Sequence, residues 1–441
     1  MKKVFFCFIF LLISILVFSE EVINLTVEKA INIAVKNNYS YLISREEVKQ
    51  YKQRLKQNMG FLPSAYLEGS KNLSEKLMEI EMPPMFPGDV PKRVSLDFTK
   101  NYEFTFQIVQ PLFTGGKIWH SYKNSKLDLN IAREKERNTK DEVILNVKKL
   151  FFNIIVMEEL VKAQQEAMKL AENNYSNVNE KYKLGMVSKY DLLRAELNMA
   201  SIKPKISNVE KLLKLLTINL KTMLRIPDRT RIIICGKLEH NNYELELSEL
   251  IKKSLLNSSE ILQLNMQLKK ARNLLKIAYG QYFPDLSIIA RYSYRSDAFK
   301  FTSNNWDNYY TINLGISFPI FTGLKRSAQV GEMKVMKKIL NLNLKQLNDG
   351  TRTMVKELYF TINEEYRNIQ TGLKSIETAK EGVRIADLNY KEGLISILEL
   401  NTSFNQLTNA KVGYLQAAYN YKIALSELEK VSGINIDGGK K

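Results

Sequence analysis

One short stretch of this chain occurs twice, and its spacing limits the folds available. Residues 110–115 read Gln-Pro-Leu-Phe-Thr-Gly, and residues 318–323, 208 positions later, read Phe-Pro-Ile-Phe-Thr-Gly. The same offset pairs Lys181-Tyr182-Lys183-Leu184-Gly185-Met186-Val187-Ser188 with Asn389-Tyr390-Lys391-Glu392-Gly393-Leu394-Ile395-Ser396. It still holds at Leu220 and Leu428, and at Ile226 and Ile434. An ungapped match over this distance predicts two structurally equivalent halves. Upstream, Phe61-Leu62-Pro63 aligns with Tyr282-Phe283-Pro284 at an offset of 221, so the first half carries about 13 extra residues. They fall near Met82 to Pro91, where Pro83, Pro84, Pro87, Gly88 and Pro91 give turn chemistry.

The period of the apolar residues changes along each half. Asn101 to Gln110 alternates with period two: Tyr102, Phe104, Phe106 and Ile108 take one face, and Asn101, Glu103, Thr105 and Gln107 the other. Tyr310 to Phe318 and Leu286 to Arg295 repeat the pattern, and Ala65, Leu67 and Gly69 give a weaker version. Clean alternation fits a one-sided soluble sheet or a membrane barrel strand. The strands are about membrane length, and tyrosines lie toward their ends, as in an interfacial girdle. Four such strands cannot close a barrel alone, because about eight are needed and an open edge is not viable in lipid.

From Lys117 to Lys183 there is neither proline nor glycine. As one helix this segment would be about 100 Å long. Its apolar positions step by four and three through Val143, Val147, Leu150, Ile154, Met157 and Val161, then Met168, Ala171, Tyr175, Val178 and Tyr182. This is a coiled-coil period. The second half keeps it from Val355 to Tyr390. Gly185 and Gly393 stand where glycine ends helices, and Ser188 and Ser396 where serine caps the next. Each half is therefore predicted to turn back as a helical hairpin, with returning helices over about 189–225 and 397–431. Pro204 is expected to kink or unwind the first of these. Pro63, Pro111, Pro284 and Pro319 are read as joints between strands and helices.

Lys2 and Lys3 followed by the apolar run Val4 to Phe18 read as a secretory leader, with small residues Val17 and Ser19 before Glu20. The resulting organisation is a leader over 1–19, a first repeat over 20–230 and a second over 231–441. Each repeat consists of a helix, two strands and a long helical hairpin. Beyond the leader only Cys235 remains, which excludes an intrachain disulfide. The net charge of +18 is dispersed along helices among glutamates, which points to solvated faces and away from nucleic acid. His120 and His240 are the only histidines, and neither sits in a ligand-spaced cluster. Thr114-Gly115-Gly116-Lys117 lacks the spacing of a phosphate loop. No enzyme chemistry, cofactor or metal is expected. A periplasmic coiled-coil adaptor or scaffold, or a secreted coiled-coil adhesin, would use the hairpins but not the strands.

The leader, the duplicated layout, the two Pro-x-Phe-Thr-Gly joints and the two helix turns at Tyr182–Gly185 and Tyr390–Gly393 together resemble the TolC-type outer-membrane efflux proteins, over essentially the whole mature chain. The resemblance implies a mainly α protein with membrane β-strands. The chain would form one third of a trimeric twelve-stranded barrel in the outer membrane, continuous with a long periplasmic α-helical barrel. It implies an exit duct of an efflux or type I secretion system, with outer-membrane lipid, a periplasmic adaptor and an inner-membrane transporter as partners. It also implies a periplasmic constriction at Glu399 and Asp191, where Ile395 and Thr402 depart from the family pattern. Adaptor docking would fall on the hairpin tips, Gly185, Met186, Val187 and Ser188 with Gly393, Leu394, Ile395 and Ser396. Three Glu399 carboxylates around a narrow lumen would attract cations. The local alternative is a solvated first-turn glutamate, favourable at a helix N-terminus.

Overall fold

The computed structural model describes residues 22–441 except 74–77, 85, 88–89, 97–101, 297, 301–305, 435 and 437–441. The leader expected over 1–19 lies outside the described residues, as do Asn101 and part of the proline-rich insertion. In chain order the elements are β1 (Val22–Leu25), α1 (Val27–Asn37), α2 (Tyr39–Gln57), β2 (Ser64–Lys71), β3 (Met78–Met82), β4 (Lys92–Leu96), β5 (Tyr102–Thr114), α3 (Lys117–Lys183) and α4 (Lys189–Leu224). Then follow β6 (Arg231–Ile234), α5 (Leu247–Asn257), α6 (Ser259–Gly280), β7 (Asp285–Ser296), β8 (Asp307–Ser317), α7 (Lys325–Lys391) and α8 (Ile397–Ser432). The duplication is exact in length for the hairpins: α3 and α7 have 67 residues each, α4 and α8 have 36 each.

The chain divides into two compact units, and each repeat contributes to both. One unit comprises Glu47–Arg133 and Gln263–Leu344. Its centre is an antiparallel sheet of order β2-β5-β7-β8. The β2–β5 register sets Gly69 opposite Phe104 and Ala65 opposite Ile108. The β7–β8 register sets Ala290 opposite Ile312 and Leu286 opposite Ile316. These are the same pairs carried across by offsets of 221 and 208, so the repeat holds to the residue in its hydrogen bonding.

The alternation places Leu67, Phe106, Tyr292 and Tyr310 in one rung of one face, and Ala65, Ile108, Ala290 and Ile312 in the next. In a soluble one-sided sheet this apolar face would be covered. Here Leu67 is 76% exposed, Ile312 71% and Leu314 68%. The opposite face carries hydrogen bonds between polar side chains: Thr105 Oγ1 to Ser293 Oγ at 2.8 Å, and Arg291 Nε donating to Gln107 at 2.7 Å. Arg295 pairs with Glu103 at 3.2 Å. Near one end of the sheet Phe104 packs on Trp306 and Phe299, with ring centroids 5.6 and 6.2 Å apart. No helix among the described residues is long and apolar enough to cross a membrane.

Three of the four prolines stand beside strands as expected: Pro63 and Pro284 immediately precede β2 and β7, and Pro319 follows β8. Pro111 differs, because it lies inside β5 and pairs with Ser287 of β7. The strand tolerates it for two reasons. Pairing with β2 has already ended at Val109, and a register shift between Pro111 and Phe113 absorbs the missing N–H. The insertion near Met82–Pro91 is the connection expected from its prolines: Pro83, Pro84, Pro87 and Pro91 lie between β3 and β4, which pair antiparallel on either side of it. At the base of β7, Lys117 meets the Asp285 carboxylate at 2.8 Å. There Gly115 and Gly280 cross so closely that a Cβ on Gly280 would lie 2.6 Å from the Gly115 carbonyl oxygen.

The other unit comprises the described parts of Met1–Glu46, Glu134–Leu262 and Lys345–Lys441. Here the coiled-coil positions find their partners. Val143, Val147, Phe151 and Ile154 of α3 share a core with Leu220 and Leu224 of α4, Val355, Leu358, Ile362 and Ile369 of α7, and Tyr421, Leu425 and Leu428 of α8. The parallel pair β1–β6 and helices α1 and α5 close over it. Lys148 of α3 and Glu429 of α8 form an ion pair at 2.6 Å with side chains only 15% and 12% exposed. Pro204 does not unwind α4, which is helical throughout Lys189–Leu224. A long helix loses only local hydrogen bonding at one proline when its neighbours continue to pack, as Ile202 does.

Candidate functional site: the hairpin tips

The long helices end for a local reason. Gly185 has φ +72° and Gly393 φ +73°, in the left-handed region that favours glycine. At the first turn Met186 N donates to Lys181 O and Gly185 N to Tyr182 O, both at 2.9 Å. At the second, Leu394 N donates to Asn389 O at 2.8 Å and Gly393 N to Tyr390 O at 3.2 Å. This paired bonding satisfies the last carbonyls of each helix.

Three residues further on, each return helix begins with a reciprocal cap. Ser188 Oγ accepts from Asp191 N at 3.1 Å, while Asp191 Oδ2 accepts from Ser188 N at 3.2 Å and from Ser188 Oγ at 2.6 Å. Ser396 Oγ accepts from Glu399 N at 3.3 Å, and Glu399 Oε2 accepts from Ser396 N at 2.7 Å and Ser396 Oγ at 3.1 Å. The two carboxylates singled out from sequence are thus the third residues of two capping boxes. Each is held at a helix N-terminus, where its charge is favoured. Thr402, one turn on, spends its hydroxyl on Leu398 O at 2.8 Å.

The two tips pack together. Val178 of α3, Leu192 and Ala195 of α4 and Ile397 of α8 form one buried cluster, flanked by Tyr175, Val187 and Tyr390. Ala386 of α7 with Leu400 and Phe404 of α8 forms a second, flanked by Leu170, Val383, Ile395 and again Tyr390. Tyr390 therefore joins the hairpins. Burial first, and then the nearby Asp191 carboxylate, push its phenol above the ordinary tyrosine range. Lys181 Nζ lies 5.0 Å from its ring centroid. In the sequence Tyr390 marks a heptad position and the repeated helix turn Tyr390–Gly393; its packing between the hairpins is a tertiary feature. Beyond the clusters, the tips expose apolar side chains: Leu184 is 74% exposed, Met186 69% and Leu394 73%. Among the described residues no His, Cys, Asp or Glu grouping could hold a metal ion.

Among the described residues, a sheet with one apolar face and two unpaired edges, on a chain of two long helical hairpins, fits the subunit of an outer-membrane channel. The comparisons agree. The sequence profile of the outer membrane efflux protein family matches residues 68–224 and 250–434, one segment in each half. The chain belongs to that family, and is a duct subunit rather than an enzyme. Its fold is similar to that of CusC, with 15% identity and a TM-score of 0.77 over 92% of this chain and 91% of that one. It is also similar to the outer membrane protein VceC of Vibrio cholerae, with 14% identity and a TM-score of 0.76 over 92% and 96%. For the CmeC outer membrane channel of Campylobacter jejuni the identity is 18% and the TM-score 0.74, over 92% and 85%. No curated protein sequence matches the chain.

Proposed function

We propose that three copies of this chain share one closed barrel, and that the assembly carries substrates of an efflux or type I secretion system out through the outer membrane. The open sheet carries this reading. Strands β2 and β8 are its outer members, and because all four neighbours are antiparallel, β8 of one copy meets β2 of the next in the sense needed to continue the sheet. Such closure removes edges that lipid does not tolerate. The in-chain β5–β7 junction supplies a template for it. Carrying Phe106 opposite Tyr292 through the two repeat offsets sets Leu314 opposite Lys71 of the next copy. A second feature supports the same arrangement. Gly115 is crowded by Gly280, whereas its repeat counterpart Gly323 has the same left-handed φ and no atom within 4 Å of its Cβ direction, leaving room for a neighbour.

In this assembly Glu399 and Asp191 would ring the periplasmic entrance. The exposed Leu184, Met186 and Leu394 at the tips would take a periplasmic adaptor that joins the duct to an inner-membrane transporter. Cysteines introduced at Lys71 and Leu314 test the closure. Oxidation of the double variant in outer membranes should give a covalent species of three chains, resolved without reductant. Absence of any crosslink, with both single variants equally silent, would refute this register. A ladder ending at two or four would refute the trimer.

A further inference from the structure

Between the two apolar clusters of the tips lies a polar contact that belongs to neither. Asn401 of α8 offers its Oδ1 to two amides: Asn198 Nδ2 of α4 at 3.0 Å and Asn174 Nδ2 of α3 at 3.5 Å. Asn174 is 5% exposed, and its own Oδ1 is buried with no hydrogen-bond partner. Its neighbours one turn away on α3 are Ala171 and Val178, both buried, and Asn198 lies one turn beyond the buried Ala195. Leu400 and Phe404 flank Asn401 on α8. Three asparagines from three helices therefore meet where a coiled coil would ordinarily place apolar side chains.

The repeat shows that this contact is not required by the fold. At an offset of 208 Asn174 corresponds to Gly382, Asn198 to Gln406, and Asn401 to Leu193. Leu193 is 50% exposed, and the Cβ direction of Gly382 meets nothing within 4 Å. The same helical hairpin is built in both halves, but the asparagine contact exists once, between α8 of the second hairpin and α3 and α4 of the first.

We infer that this asparagine node is a positioning latch that sets the register of the second hairpin on the first and holds the tips together at rest. A buried polar residue in a coiled-coil seam discriminates between registers, because a shift leaves its partners without hydrogen bonds. Pulling α8 away takes the shared acceptor from the buried Asn174 amide and the half-buried Asn198 amide, and each such loss is unfavourable. The latch is nevertheless weak, because one of its two hydrogen bonds is long, at 3.5 Å, and Asn198 and Asn401 are only half-buried. The consequence for conduction rests on the channel reading above, but the latch itself does not.

The experiment uses the full chain in detergent and in planar bilayers. Asn401→Leu keeps the volume and removes the acceptor, whereas Asn401→Asp keeps oxygens for both amides. Backbone hydrogen exchange over 192–200 and 397–405 should rise at least about tenfold in Asn401→Leu, because both hydrogen bonds to its Oδ1 are lost. It should stay near the parental rate in Asn401→Asp. Should Asn401→Leu fail to fold, Asn198→Leu removes one of the two donors and should raise exchange in the same segments. Parental exchange in the leucine variants, or equal changes in Asn401→Leu and Asn401→Asp, would overturn the latch. In bilayers, Asn401→Leu should spend more time in its larger conductance states than the parent. A parental protein that forms no conducting pores would instead refute the channel reading, and exchange would still decide the latch.

Discussion

Removing the ammonium from the Lys148–Glu429 pair should open the helical core locally. The two side chains are 15% and 12% exposed and 2.6 Å apart, and Glu429 Oε1 also accepts from Ile436 N at 2.8 Å. At this separation the attraction is several kcal/mol with an effective dielectric of about 20, and desolvation offsets much of it. The net value of the intact pair is therefore small, but deleting one partner is costly. Lys148→Met removes the cation that pairs with the Glu429 carboxylate in the core, at about 3–5 kcal/mol. That corresponds to a roughly 10²- to 10⁴-fold rise in hydrogen exchange of amides over 424–432, if those amides exchange by local opening. The double variant Lys148→Met/Glu429→Leu removes both charges and should return exchange to within about tenfold of the parent. Exchange unchanged within a factor of about three in the single variant would show that water reaches the pair, and the reasoning from burial would fail.

If Glu399 rings the entrance as proposed, Glu399→Gln should weaken divalent-cation block and reduce cation selectivity in single-channel recordings, because it removes one carboxylate per chain there. An unchanged block would leave Glu399 as a capping residue only. The Tyr390 phenol sits above its ordinary range, so its neutral form is favoured in the fold. That stabilisation is complete below about pH 10 and is lost as pH rises through the folded-state value. The tips should loosen in alkali, and the 295 nm titration difference between parent and Tyr390→Phe should show one tyrosine ionising above pH 10. Gly280→Ala forces a methyl to within 2.6 Å of the Gly115 carbonyl and should lower detergent stability by about 1–3 kcal/mol through displaced backbone. Gly185→Ala meets no atom within 4 Å and should cost only the left-handed penalty of about 1–2 kcal/mol. Its denaturation midpoint should fall less than that of Gly280→Ala.

The hairpin tips carry both caps and contacts between helices. Asp191 and Glu399 are fixed by their own serines before any partner approaches, so a ring of them would be preorganised. Tyr390 then links the capped end of α4 to the second hairpin. Capping, hairpin packing and the asparagine contact lie within a few turns of each other, so perturbing one should be read against the others.

Much of this architecture is local and therefore legible in the chain. The bounds of α3 follow from a proline- and glycine-free run that ends at a glycine able to adopt positive φ. The two capping boxes follow from Ser188 with Asp191 and Ser396 with Glu399, at the spacing that lets a side chain reach back one turn. Strand alternation sets which residues share a face, and the repeat offsets carry the register of β2–β5 onto that of β7–β8. Tertiary structure decided what depends on neighbours distant in sequence. Alternation is the same for a soluble sheet and a lipid-facing one, and only the uncovered faces of Leu67, Ile312 and Leu314 separate them. Pro111 reads as a strand end, yet β5 continues past it because β2 has already stopped. Asn174, Asn198 and Asn401 stand on three helices with no spacing rule to connect them. Their meeting depends on how the hairpins pack, which side-chain periodicity along one helix does not encode.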